Sequence, residues 1–143
     1  MLDKIKPLWE ELNKHHFRHS SNFKDDYNQM NFEKRKSDLL KKSLSCKMRV
    51  DLADDEATGC TVGYCVSSLN GEKTGEIESI FVKVDYRGLG VGDSLIKNTL
   101  FWMDKECAVA KIVEVGDGNE QAFGFYSRYG FLHRKTVLKQ VKK

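Results

Sequence analysis

Proline is nearly absent from this sequence, with Pro7 alone among 143 residues, and no Ser/Gly-rich linker, internal repeat or low-complexity tract interrupts it. Nothing therefore divides the chain, and a single domain spanning residues 1–143 is expected. Long apolar runs are also missing, so no hydrophobic span and no membrane partner is expected. The opening Met1-Leu2-Asp3-Lys4-Ile5-Lys6 lacks the apolar stretch of a secretion signal, which makes the expected address the cytoplasm. Charge of one sign is scarce: 24 Lys and Arg against 21 Asp and Glu leave a net +3, far short of the basic field a nucleic-acid partner requires. The four cysteines, Cys46, Cys60, Cys65 and Cys107, form no CxxC pair, so neither a disulfide framework nor a zinc site is expected. His15 and His19 share a helix face, yet no third ligand accompanies them, and no metal is expected.

What the sequence does contain is clear periodicity. Ile5, Leu8, Trp9 and Leu12 line one face of a helix running to about Phe17, with Pro7 tolerated in its first turn. A polar stretch, residues 18–31, ends at Asn31, which can cap a second helix carrying Phe32, Leu39, Leu40 and Leu44. The period then drops to two. Met48, Val50 and Leu52 alternate with Lys47, Arg49 and Asp51, a strand facing a core on one side. Residues 61–69 and 76–84 read as two further strands, joined by the turn signal Asn70-Gly71, giving three consecutive antiparallel strands. Leu95, Ile96, Thr99, Leu100, Met103 and Cys107 return to helical spacing. A strand is expected over 109–115. Asn119 can cap a helix bearing Ala122, Phe125, Tyr126 and Tyr129, which Gly130 stops, and a last strand is expected over 131–141. The order ααβββαβαβ is α+β around a mixed central sheet.

Between strand and helix lies Arg87-Gly88-Leu89-Gly90-Val91-Gly92-Asp93. Alternate glycines let a ligand approach the backbone, successive amides turn inward, and the helix N-terminus favours negative charge by ~0.3–1 kcal/mol. The loop therefore suits a phosphate or pyrophosphate. It lacks the Gly-Lys-Ser/Thr of a nucleoside triphosphate loop, and Asp93 stands where a dinucleotide fingerprint needs its third glycine.

The run from Ile80 to Gly92 resembles the acetyl-CoA signature R/Q-x-x-G-x-G/A of the GNAT superfamily of N-acetyltransferases, and Asn119 to Phe131 (NEQAFGFYSRYGF) resembles that family's second motif. The two segments cover roughly residues 75–132. The resemblance implies a three-layer GNAT fold whose usual first strand is absent or truncated here, because the first helix begins within five residues of Met1. The chain also ends soon after its last expected strand, leaving an exposed sheet edge that favours a homodimer.

The resemblance further implies acetyl-CoA as cosubstrate and direct attack by a primary amine of a small molecule or protein in a ternary complex. In such proteins the backbone of the signature strand, here Ile80, Phe81 and Val82, pairs with the pantetheine arm and polarises the thioester carbonyl. Arg87 and the amides of Gly88, Leu89, Gly90, Val91, Gly92 and Asp93 would hold the pyrophosphate. Asn119 would contact pantetheine, with Phe125 and Tyr126 also at the donor site. Tyr126 aligns with the tyrosine that protonates the departing thiolate, although periodicity alone, which puts it on the apolar stripe, favours a core residue. Glu78, with Glu76 on the same strand face, is the expected base, and either could instead bind a cationic substrate or form an exposed pair. The histidines at 15, 16 and 19 read as a polar helix end or as lining of the acceptor site. A CoA-binding regulatory or interaction module without turnover is the alternative reading. The acceptor is not legible.

Overall fold

The structure, a computed structural model, describes residues 2–141. A 3-10 turn at Leu2–Ile5 leads into α1 (Lys6–His19), where Pro7 sits in the first turn and its missing N–H costs nothing. The polar stretch that followed in the sequence is not wholly irregular. It holds a short helix, α2 (Lys24–Asn28), whose Asp25 and Asp26 complement the helix N-terminus. Asn31 caps α3 (Phe32–Lys42) as its sequence suggests, its side chain accepting the Lys34 amide at 2.8 Å. Then come β1 (Lys47–Asp54), β2 (Thr61–Leu69) and β3 (Thr74–Val82), paired antiparallel in that order. Val84 belongs not to β3 but to a 3-10 turn, Val84–Tyr86. Helix α4 (Val91–Lys105), β4 (Ala110–Val113) and α5 (Gln121–Ser127) complete the elements, with β4 parallel to β3.

The result is a four-stranded mixed sheet, β1-β2-β3-β4, between two helical layers. On one face the 3-10 turn, α1 and α3 bring Ile5, Leu8, Trp9, Phe32 and Leu39 onto Tyr64, Val66 and Phe81. On the other, α4 and α5 bring Leu95, Ile96, Met103 and Tyr126 onto Cys65 and Ile77. Strand β2, covered on both sides, is buried along nearly its whole length. Strand β1 is covered on both sides as well, which its alternation does not suggest. Arg49 and Asp51 pair at 2.9 Å beneath α4, with the Arg49 guanidinium 5.9 Å from the Trp102 ring centroid and Thr99 Oγ1 donating to Asp51 at 3.4 Å.

Two expectations at the C-terminal end fail. Asn119 does not cap α5: Glu120 holds the N-cap position without a side-chain hydrogen bond, and Asn119 contributes only its carbonyl, to the Ala122 amide. Residues 131–141 form no strand. Leu132, Val137 and Leu138 are more than four-fifths exposed, and Lys139 is drawn toward α2 by Asp26 at 2.7 Å and by the Phe23 ring. A strand exists only where a ladder partner stands beside it, and apolar residues alone do not supply one. No described strand precedes α1, and no described helix is long and apolar enough to cross a membrane.

Candidate active site

Strand β3 carries the site because it is paired differently along its length. Toward β4 its ladder covers Thr74–Ile77 against Ala110–Val113 and stops there, while toward β2 it continues to Val82. From Glu78 onward one edge is therefore open, and alternate peptide groups of Ile80, Phe81 and Val82 face the gap. The same point holds a β-bulge: Val66 opposes Ser79 and Ser67 opposes Ile77, leaving Glu78 as the extra residue. Glu78 and Ser79 consequently lie on one face in succession. Ser79 reaches Tyr64 Oη at 2.7 Å on the α1 side, while Ile80 and Val82 join the α4 cluster and Phe81 the α1 cluster.

The gap opens into a cavity of about 130 Å³ lined by α1, by residues 77–80 of β3, by the chain leaving β4 and by Tyr126. The loop after β4 closes one side of it. Gly118, with φ +86°, lies so close to the end of α1 that a Cβ there would stand 1.8 Å from the His19 carbonyl oxygen. Asp117 anchors the loop by accepting the Ser21 amide at 3.1 Å. Asn119 also lines this cavity.

The two glutamates share a face, and that face meets α3. Lys42 Nζ lies 3.0 Å from Glu76 Oε1 and also donates to Glu78 Oε2, which takes a second bond from Ser68 Oγ at 2.6 Å. Arg35 approaches Glu78 Oε1 at 3.6 Å and donates to its backbone carbonyl at 2.9 Å. The Glu78 side chain is only 6% exposed, so water does not replace these partners. Burial opposes the charge on Lys42, but the bonds to Glu78 and Glu76 outweigh it and hold its pKa above the ordinary lysine value.

Tyr126 comes from the opposite layer. It is buried among Phe125, Phe131 and the α4 side chains, yet it lines the cavity, and no hydrogen bond to a described residue shifts its titration. Burial raises its pKa well above that of a free phenol, so it stays protonated. Beside it, Phe125 packs against Gly92. Gly88 and Gly90 adopt φ +78° and +84°, and Gly90 is the left-handed N-cap of α4, with empty space where either Cβ would stand. Asp93 accepts from Tyr129 Oη and pairs with Lys97 at 2.9 Å, contacts that hold its carboxyl below the usual carboxylate range. Arg87 folds back on β3, donating to the Val82 carbonyl at 2.9 Å with its guanidinium 5.3 Å from the Phe81 ring centroid.

Several cavity residues carried little signal in the sequence. Tyr27 comes from the short α2, and its ring stacks on His16 with centroids 5.3 Å apart. His16 stood out only as one of three histidines. Burial, followed by the charges of His15 and His19, lowers its pKa from the ordinary value of 6.5. His15 and His19 stack on each other at 4.1 Å.

The model of the acetyltransferase (GNAT) family matches residues 7–131. An uncharacterised N-acetyltransferase of Methanocaldococcus jannaschii is 34% identical over 99 residues, which are 62% of this chain and 43% of that protein. The chain spans about half the length of the curated relatives it matches. A mutant form of a Bacillus halodurans protein shares the fold with TM-score 0.74 and 19% identity, over 99% of this chain and 93% of that one. A Bacillus anthracis protein described as a streptothricin acetyltransferase, solved in complex with acetyl coenzyme A, matches with TM-score 0.51 and 27% identity, over 57% of this chain and 46% of that one.

Proposed function

The chain belongs to the GNAT acetyltransferase family, and on that premise we propose that it transfers the acetyl group of acetyl-CoA to a primary amine by direct attack in a ternary complex. The observation that carries this reading is the opening of β3 past Ile77, with Tyr126 on the α5 side of the gap and the left-handed glycines at the start of α4 on that same layer. The relative solved with acetyl coenzyme A supports the choice of donor.

In this reading the amides of Gly88 to Asp93 bind the diphosphate. Empty space above Gly88 and Gly90 leaves their backbone approachable, and the 15-residue α4 adds its dipole. Arg87, which heads this loop, would add a full positive charge there on leaving the Val82 carbonyl. Asn119 and Phe125 flank the pantetheine arm. The open-edge peptide groups of Ile80, Phe81 and Val82 orient the thioester and donate to the oxyanion that develops on its carbonyl, a contribution of about 2.7–4 kcal/mol per well-placed donor. Tyr126, protonated at neutral pH, gives its proton to the departing sulfur. Glu76 and Glu78 were the expected bases; with both Glu78 oxygens facing cations, we assign this pair to fixing the bulge that shapes the open edge. The exposed edge of β4 is where a second copy of the chain would add.

Thiol release from acetyl-CoA, measured against polyamines, aminoglycosides, amino acids and peptides, tests the reading and identifies the acceptor. Tyr126→Phe is expected to lower turnover by about 100-fold while leaving coenzyme A affinity, read by calorimetry, unchanged. Absence of coenzyme A binding by the wild-type chain overturns the reading.

A further inference from the structure

Direct attack needs a neutral amine, and an alkylamine at neutral pH carries a proton that some group must remove. The cavity at the split of β3 is reached from both layers: Leu12 and His16 enter it from α1, Tyr126 from α5. Three buried side-chain polar atoms among the described residues have no partner, and two of them, Asn13 Oδ1 and His16 Nδ1, lie three residues apart on α1. Residues at that spacing are neighbours on one helix face. Asn13 Nδ2 donates to the Tyr27 carbonyl at 2.9 Å, which fixes its other amide atom as an acceptor, and Tyr27 in turn carries the His16 ring against its own.

Resting on the acetyl-transfer reading above, we propose that His16 is the base that takes the proton of the incoming amine, and that Asn13 is a positioning residue for its ring. With Nδ1 enclosed by protein, Nε2 is the nitrogen left to meet the amine. Asn13 Oδ1, three residues before His16 on α1 and without a partner, is the acceptor that Nδ1–H would take as the imidazolium forms. The ammonium gives one proton to Nε2, and the neutral nitrogen attacks the thioester carbon. The C–N bond forms, the C–S bond breaks, and the sulfur takes the Tyr126 proton. The second N–H proton makes good the one Tyr126 gave, and His16 returns its own to solvent. The products are an amide, a free thiol and one proton.

The groups facing His16 decide whether it rests neutral. His15 and His19 flank it on α1, Tyr27 stacks on it from α2, Glu78 of β3 and Glu114 after β4 line the same cavity, and Tyr126 faces it from α5. Glu78 is already matched by Lys42 and Arg35. Burial, and after it the charges of the two histidines, lowers the ring from its ordinary value, as a base poised to accept must be.

The test pairs ethylamine with trifluoroethylamine, which is of similar shape but already neutral at pH 7, under saturating acetyl-CoA. His16→Gln is expected to cost about 100-fold in turnover of ethylamine and less than about 10-fold with trifluoroethylamine. Asn13→Ala is expected to move the acid limb of the kcat/KM profile to lower pH, because the imidazolium loses its acceptor. Equal losses with both amines, or an unmoved acid limb, overturn the proposal. If neither amine turns over, the His16 ring signal in proton NMR, identified by its loss in His16→Gln, decides: displacement by ethylamine supports the assignment, and an unmoved signal overturns it. Calorimetry with coenzyme A keeps the two ideas apart. A chain that binds coenzyme A but fails the His16 tests loses only the base, whereas one that does not bind it loses the acetyl-transfer reading.

Discussion

Glu78 is held from two elements, by Lys42 and Arg35 of α3 and by Ser68 of β2, with its side chain almost withdrawn from water. Charge-assisted bonds to a buried carboxylate are expensive to break: Arg35 then loses its counter-charge, and Lys42 keeps only Glu76. Glu78→Gln is therefore expected to cost about 2 kcal/mol of stability in chemical denaturation. His16 gives a prediction of pH dependence. Its folded pKa lies below the ordinary 6.5, so in the window beneath that value the unfolded chain binds more protons than the folded one. Stability is present above pH 6.5 and drains away as pH falls through the window. His16→Gln should flatten that slope, as thermal melts at about pH 7.5 and about pH 5.5 would show. Little of this was legible in the sequence. Glu76-Ile77-Glu78 shows plain alternation, and that Glu78 is the extra residue of a bulge is invisible until β2 is laid beside it. Tyr126 was recognised only by motif resemblance, since its place on the apolar stripe matches that of a core residue.

Among the elements, the glycine-led start of α4 is the most exacting. Gly90 caps the helix in the left-handed region with no neighbour within 4 Å of a Cβ. A side chain there collides with nothing, so the penalty of Gly90→Ala is conformational, about 1–2 kcal/mol for an L-residue forced to positive φ. Coenzyme A affinity is expected to fall for Gly90→Ala and to be largely kept in Gly90→Asn, since asparagine tolerates this region; calorimetry on both variants separates backbone strain from crowding. Helices α1, α3 and α4 were readable because their apolar residues recur at three and four, and Asn31 announced its cap. Helix α2 was not, because four polar residues and a single tyrosine leave no periodic stripe, and Tyr27 turned up in the cavity unannounced. Asn119 looked like a cap, but it serves the loop that closes the cavity instead.

At the scale of the molecule, protection should be uneven. Strand β2 is laddered on both sides and covered on both faces, whereas residues 132–141 have no ladder at all. Amide hydrogen exchange is expected to be slowest across 62–68 and close to unprotected along 132–141, read by NMR or mass spectrometry. The α+β arrangement around a mixed sheet was accessible from element order, because helices separated by strands must cover a sheet, whereas its three layers were legible only through the motif resemblance. The C-terminal arm was not, since its apolar Leu132, Val137 and Leu138 stand without the neighbouring strand that would make them one. The bulge in β3 acts as a phase slip in the strand. Upstream, even-numbered side chains look toward α3; downstream, Phe81 does, and Ile80 and Val82 have crossed over. Deleting a single residue at Glu78 would undo that slip, trading every downstream side chain between the two cores and turning inward the peptide groups that now face the gap.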